Sequence, residues 1–381
     1  MNRLNSNEGG PARIPVAFAA IDPYLEQNAV LPTEKVLNGK NRVEWGTGDR
    51  YPSYINDLYD TTPTLRSIIN GSVDFVAGDE VTFAPAAGVP VQKMNHSGDT
   101  PRDIVRDLAQ DTFKLGGFAL QVIRSFDGQI AEVFAIPLDY LRSNKDNTVF
   151  YYCENWAKGR KDVLVYPKFM PISTEDWARM LPEERDRHAS SIYLWKSTRR
   201  GTYPQPPFIA ATKDCELERN VTDYHFNALE NGFVSAVIVN FNNGIPEDEI
   251  KEEIEKDFNE KFCGHQNGAR AMLSWNPNKD SATTIEAPKV EDFGERYKAL
   301  ATHSRQQIFA SFRAVPALFG IMTESTGFNE QEFEQAFRLY NRTAIRPVQR
   351  AIGDAFDAIY GGAGILKITP FSLEGADTTV A

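Results

Sequence analysis

Apolar side chains recur three and four residues apart in several stretches of the chain, and cluster or alternate in shorter runs between them. Leu65, Ile68, Ile69, Val73 and Val76 form one such helical stripe. Thr62 at the cap, Pro63 in the first turn and Gly78 at the end predict a helix bounded by those residues. Thr100-Pro101-Arg102-Asp103 opens a second helix that buries Ile104, Val105, Leu108, Phe113 and Leu115 and stops at Gly116-Gly117. Phe118–Arg124 and Ile130–Ile136 read as two strands. Phe126-Asp127-Gly128-Gln129 between them is a hairpin turn, because Asp-Gly supplies positive φ at low cost.

From Pro137 to Pro204-Gln205-Pro206-Pro207 the pattern changes. Val149–Cys153, Asp162–Tyr166 and Ser191–Trp195 are strand-like, with a short helix opening at Ser173. Leu138–Gln205 holds 12 Lys/Arg against 9 Asp/Glu, a local net of +3, and reads as a small β-rich insertion. A long helix then carries Phe208, Ala211, Cys215, Leu217, Val221, Tyr224, Phe226 and Leu229 to a stop at Asn231-Gly232. A strand over 234–239 and a helix over 246–262 follow; that helix has 8 acidic and 3 basic residues, a net of −5. Residues 269–275 and 282–286 read as strands around Asn276-Pro277-Asn278. A helix over 290–312 leads to Val315–Gly320, a polar loop, and a last helix from Asn329 to Tyr360. Pro347 should kink that helix, since it removes one hydrogen bond and crowds the preceding turn. The first forty residues, rich in Pro, Gly and Asn, read as an arm that orders on a neighbour. The class is α+β.

Charge and chemistry narrow this further. The 381 residues carry 41 Lys/Arg and 52 Asp/Glu, a net of −11, so a surface that grips DNA throughout is excluded; phosphate contacts can be only local or loose. Three separated cysteines, Cys153, Cys215 and Cys263, offer neither a disulfide framework nor a zinc spacing. The first ten residues lack the apolar core of a signal peptide, and no run approaches a membrane span, which predicts a soluble protein from a reducing compartment with no membrane partner. His96, His188, His225, His265 and His303 show no metal-ligand pairing. No GxxxxGK[ST] phosphate loop, GxGxxG turn or GxSxG elbow occurs. Carboxylate pairs such as Glu183-Glu184 and Glu252-Glu253 lie in charged helical stretches and read as solvated faces. The expectation is no enzyme, no metal and no cofactor. Trp156, Trp177, Tyr193 and Trp195 read as core or subunit interface before nucleic-acid stacking, and Arg199-Arg200 as a surface turn.

The last third carries a resemblance. Asn231-Gly232-Phe233 is followed by a strand, an acidic helix, a β pair and a helix containing Ser304-Arg305-Gln306-Gln307-Ile308-Phe309-Ala310. Then come Val315-Pro316-Ala317-Leu318-Phe319-Gly320, a Thr/Ser/Gly loop, and Asn329-Glu330-Gln331-Glu332 opening a helix with Arg346-Pro347. This order resembles the portal proteins (head-to-tail connectors) of tailed double-stranded DNA bacteriophages. Gly116-Gly117-Phe118-Ala119 and the Asp127-Gly128 hairpin resemble that family's glycine-rich step into a strand pair. Ala317 stands where a second proline is common there, and Phe309 interrupts the usual Ile-Ala step.

The resemblance implies a portal-like fold, divided along the chain. Residues 1–45 would be an arm, 46–137 and 233–320 a wing, 138–205 a clip and 206–232 a stem helix. Residues 321–328 would be a tunnel loop, 329–361 the long kinked helix and 362–381 a minimal crown. It implies a ring of identical copies, typically twelve, at one capsid vertex of a virion assembled in the host cytoplasm. Double-stranded DNA would pass through without sequence preference during packaging and ejection. Terminase, major capsid protein and a head–tail adaptor would be the partners. Ile321, Met322, Thr323, Glu324, Ser325, Thr326 and Gly327 would line the channel, and Trp156, Arg160, Lys161, Trp195, Arg199 and Arg200 would serve docking at the clip. A net acidic subunit suits sliding, because each neutralised phosphate adds a salt-dependent hold on DNA. Two rivals stand beside it: a metal-dependent nucleic-acid-processing enzyme using Glu252, Glu253 and Asp257, and another virion adaptor ring.

Overall fold

The computed structural model describes residues 34–37, 41–85, 91–156, 163–230, 237–242, 246–247, 250–251, 254, 271–276, 278, 293–320 and 330–372. In chain order their strands are β1 (Glu34–Val36), β2 (Arg42–Trp45), β3 (Glu80–Phe83), β4 (Gly117–Arg124), β5 (Ile130–Ile136) and β6 (Leu141–Asn144). After them come β7 (Val149–Tyr152), β8 (Leu164–Pro167), β9 (Ser190–Lys196), β10 (Val237–Phe241), β11 (Ala271–Trp275) and β12 (Leu366–Thr369). The helices are α1 (Tyr51–Thr61), α2 (Pro63–Ala77), α3 (Pro101–Leu115), α4 (Thr174–Arg179), α5 (Pro182–His188), α6 (Thr212–Glu230), α7 (Phe293–Phe312), α8 (Glu330–Tyr340) and α9 (Arg346–Tyr360).

Helix α3 shows how literally some signals act. The Thr100 hydroxyl accepts the Asp103 N–H at 3.2 Å while the Asp103 carboxylate accepts the Thr100 N–H at 3.0 Å, so two orphan donors are satisfied reciprocally. Gly116 ends the helix at φ +84°, and a Cβ there would lie 1.8 Å from the Gln205 carbonyl oxygen. Only glycine serves both the left-handed cap and the close approach. Thr62 behaves differently. It sits at the α1–α2 junction in extended conformation, but its hydroxyl caps nothing and instead donates to the Cys215 carbonyl at 3.3 Å. Burial of that side chain against α6 offered a partner that the local helix end did not control.

Strand β4 is the centre of a three-stranded antiparallel sheet in the order β5-β4-β9. Its β5 partner comes from the expected hairpin, in register Ala119 with Ile136. Its other partner, β9, is some seventy residues away and pairs along nearly the whole strand, from Gly117 with Lys196 to Ile123 with Ser190. A second sheet runs β1-β2-β6-β7-β8, all antiparallel. The β-rich insertion expected over 138–205 contributes strands to two sheets: β6, β7 and β8 join the sheet of β1 and β2, while β9 completes the sheet of β4. The end of the expected arm of residues 1–45 has structure of its own. Arg42–Trp45 is a strand, and Val43 and Trp45 are buried in the core. Periodicity could not show this, because long-range pairing has no local signature.

Strand β12 pairs antiparallel with β3 and returns the chain's last described strand to the helical layer of α1–α3. Strand β11 pairs in parallel with β10, and the strand expected over 282–286 lies outside the described residues. Of the acidic stretch 246–262 only five residues are described. The final helix keeps its expected length but is broken where Pro347 is approached: α8 and α9 are joined by a π turn over Asn341–Ile345. One core unites these layers, with Leu65, Ile68, Ile104, Leu120, Phe208, Ile308, Tyr340 and Phe356 all buried.

Two predictions follow from this packing. Gly116→Ala forces a side chain into the Gln205 carbonyl and a left-handed conformation, so urea unfolding should show a loss of at least about 2 kcal/mol. Asp111, on α3, accepts the Leu138 N–H at 2.8 Å at the entry to β6, and burial pushes its carboxyl up to about 7, with the Leu138 N–H pulling the other way. A carboxyl whose folded pKa is raised binds more protons folded than unfolded. Its contribution is therefore greatest below the ordinary carboxylate pKa and is lost as pH climbs through about 7. Asp111→Asn, which keeps the acceptor oxygen, should raise Tm at pH 8 more than at pH 5.

Candidate functional site

The loop 321–328 lies outside the described residues, but both of its feet are placed. On one side Pro316–Phe319 forms a tight helical turn that Gly320 closes in left-handed conformation at φ +75°. On the other, α8 begins at Glu330. Both feet meet at Phe75 of α2. The Phe75 ring makes edge contacts with Phe319 at 6.1 Å, Phe337 at 5.5 Å, Tyr340 at 6.3 Å and Phe371 at 5.4 Å between centroids. Gly71, one helical turn before Phe75, lets the turn come this close: a Cβ there would lie 2.8 Å from the Phe319 ring. Edge-to-face aromatic pairs each add about 0.5–1.5 kcal/mol beyond the area they bury. The turn before the loop and the helix after it thus share one aromatic cluster on α2.

Within 138–205 the structure sorts the docking candidates. Trp156 is buried, not presented to solvent. Its indole N–H donates to the Tyr140 carbonyl at 2.9 Å, and the Arg42 and Arg142 guanidinium carbons lie 4.6 and 5.0 Å from the centroid of its ring. Trp195 is half-buried and stacks on Phe118 at 5.2 Å. Arg199 and Arg200 are exposed in the turn that leads to Gly201. Arg160 and Lys161 lie outside the described residues. Among the described candidates Trp156 is thus buried, Trp195 half-buried and the arginine pair exposed.

Beneath Trp156 lies a cluster that the sequence did not announce. Asp49, left-handed at φ +65°, accepts Arg42 Nη1 at 2.6 Å and Arg142 Nε at 2.9 Å, and all three side chains are buried. Arg142 also donates to the carbonyls of Asp49, Asp139 and Leu141 at 2.8–3.0 Å. Burial lowers the Arg142 pKa while the Asp49 carboxylate opposes that shift. Two guanidiniums against one carboxylate leave an excess positive charge, which the electron-rich faces of Trp45 and Trp156 offset in part. The cluster joins β2 to β6 and is structural. Its only sequence signal was an arginine inside each of two strands, which is no signal at all.

Helix α6 buries Glu216 and Glu218 against α1 and α2, where Tyr54 Oη donates to Glu216 at 2.7 Å and Thr64 Oγ1 to Glu218 at 2.7 Å. Its far half pairs with α7, with Tyr224 stacked on Tyr297 at 4.9 Å, and exposes Tyr224 and Phe226. Among the described residues no group of three or more His, Cys, Asp or Glu side chains is placed to hold a metal ion. Glu252, Glu253 and Asp257, the carboxylates of the enzymatic rival, lie outside those residues. No helix among the described residues is long and apolar enough to cross a membrane.

Asp49→Asn should strip the common counter-charge from two buried guanidiniums and destabilise the fold by about 3–5 kcal/mol, against a smaller loss for Arg199→Ala with Arg200→Ala; chemical denaturation of both variants checks the contrast.

No protein-family model matches the chain, and no curated protein matches it. Among solved structures it is similar to a HK97 family phage portal protein from Corynebacterium diphtheriae, with 13% identity, coverage of 83% of this chain and 93% of that one, and a TM-score of 0.50. It is also similar to a chain in the neck of an empty GTA particle computed with C6 symmetry (16% identity, 89% and 88% coverage, TM-score 0.49). A third likeness is to a chain in the neck of a native GTA particle computed with C12 symmetry (14%, 84% and 85%, TM-score 0.47). The similarity to the portal protein is one of fold: the chain has a portal-like α+β architecture over most of its length.

Proposed function

We propose that this chain is the subunit of a phage portal: a ring of identical copies, typically twelve, at one capsid vertex of a virion. The observation that carries the reading is the shared fold with a phage portal protein over 83% of this chain and 93% of the other. The motif order from Asn231 to Tyr360 supports it independently of geometry. In this reading double-stranded DNA passes through the bore during packaging and ejection, and terminase, major capsid protein and a head–tail adaptor dock on the outside. Residues 46–137 and 233–320 form the wing and 206–232 the stem helix. Residues 138–205 serve as the clip while staying sewn into the two sheets, and Arg199 and Arg200 are its exposed docking cations.

The channel would be lined by 321–327. Met322, Thr323, Ser325, Thr326 and Gly327 give small, weakly interacting contacts, and Glu324 repels phosphate. Such a bore lets a polyanion slide, because it neutralises few phosphates and so avoids a strong salt-dependent hold. The chain supplies no phosphate loop, so the energy of packaging comes from the terminase.

Negative-stain microscopy of the purified chain should show closed annuli with a bore wide enough for a double helix; a monodisperse monomer under every assembly condition overturns the reading. In such rings Glu324→Lys replaces one repulsive charge per subunit with an attractive one. DNA retention on filters should rise at low salt and return to the parental level as salt increases, with no magnesium-dependent cleavage of DNA by either ring.

A further inference from the structure

In the last helical run Phe337, Tyr340, Ile345, Val348, Ala351, Ile352, Ala355, Phe356 and Ile359 are buried and Ala344 is half-buried against the same core; from the fully buried Tyr340 to the fully buried Ile345 the step is five residues. In an α-helix five residues sweep about 500°, which leaves the two side chains about 140° apart around the axis. The π turn over Asn341–Ile345, with the Arg346 N–H bonded to the Asn341 carbonyl, absorbs the extra residue and lets both face the core. Pro347 favours this break, since it has no N–H to continue an α ladder and its ring crowds the carbonyl four residues back.

The turn separates a helix tied down by hydrogen bonds from one that meets the core through aromatic rings. Helix α9 is tied down: Gln349 Nε2 donates to the Val76 carbonyl at 3.0 Å, Asp357 accepts the Ile365 N–H at 2.9 Å, and Ile352, Ala355 and Phe356 are buried completely. Helix α8 buries Phe337 and Tyr340, which pack on Phe75. The Ser72 hydroxyl donates to the Ile68 carbonyl, so the Tyr340 hydroxyl donates to Ser72 Oγ at 2.6 Å. Next to Tyr340, the Asn341 Oδ1 is buried and accepts no hydrogen bond. Extending the α9 period backwards in regular α geometry puts Asn341, not Tyr340, on the face toward Ser72, where its side-chain amide can donate to the same hydroxyl oxygen.

We propose that the π turn at Asn341–Ile345 is a register switch. In one register Tyr340 bonds Ser72; in the other the turn relaxes to α geometry, Asn341 takes that place, and α8 rotates by about 100° and shifts about 1.5 Å along its axis. The second register releases the orphaned Asn341 oxygen and gives up the Tyr340 contact, so each state holds one polar pair at Ser72. Rotation of α8 re-aims the chain that enters it. The proposal concerns this chain by itself and does not rest on the portal reading, which survives its failure.

The test is a distance measured across the turn. Spin labels on Leu339→Cys and Asp354→Cys, both exposed positions, report the rotation. They are placed in the full chain carrying Cys263→Ser and diluted with unlabelled copies to suppress distances between subunits; Cys153 and Cys215 are buried. Tyr340→Phe removes the hydrogen bond particular to the first register and should raise the share of the second distance about fivefold, the effect of one net hydrogen bond. Pro347→Ala restores an N–H to the α ladder and should move the distribution in the same direction. A common second distance in the two variants supports the switch. One unshifted distance in both overturns it, and if one variant fails to fold the other decides.

Discussion

The architecture depends on strand β4 having both of its edges paired. One edge is closed locally by β5, the other by β9, which arrives only after β6, β7, β8, α4 and α5 have been threaded. A strand with one open edge would expose a row of unpaired backbone groups and invite association with another chain. Closing it commits residues 138–189 to begin and end at the same sheet. That constraint explains why Gly116 and Gly117 tolerate no side chain. A Cβ on Gly117 would lie 2.5 Å from the Trp195 carbonyl oxygen, and one on Gly116 would strike the Gln205 carbonyl. The end of α3, the start of β4 and the exit from β9 occupy one tight crossing.

A second set of ties makes the helical layer one body with the rest. Cys215, Glu216 and Glu218 at the start of α6 meet Thr62, Tyr54 and Thr64, and the C-terminal β12 pairs with β3. The far half of α6 and α7 contrasts with this anchored end, since Tyr224 and Phe226 are exposed there.

The sequence alone disclosed the elements whose causes are local. The Thr100–Asp103 capping box, the left-handed stop at Gly116, the Asp127-Gly128 hairpin and the helix of Leu65, Ile68 and Ile69 all follow from side chains acting on backbone within a few residues of themselves. Motif order disclosed the resemblance to portals. Tertiary structure alone decided matters that depend on partners distant in the chain. It divided residues 138–205 between two sheets, drew Arg42–Trp45 into the core and turned Trp156 inward over two arginines. It also buried Arg42, Arg142 and Asp49 together, which no periodicity encodes because a lone charged residue in a strand reads as a solvent-facing one. The π turn stands between the two kinds: Pro347 announced a break in the last helix, but only the tertiary structure decided that it takes the form of a π turn over Asn341–Ile345.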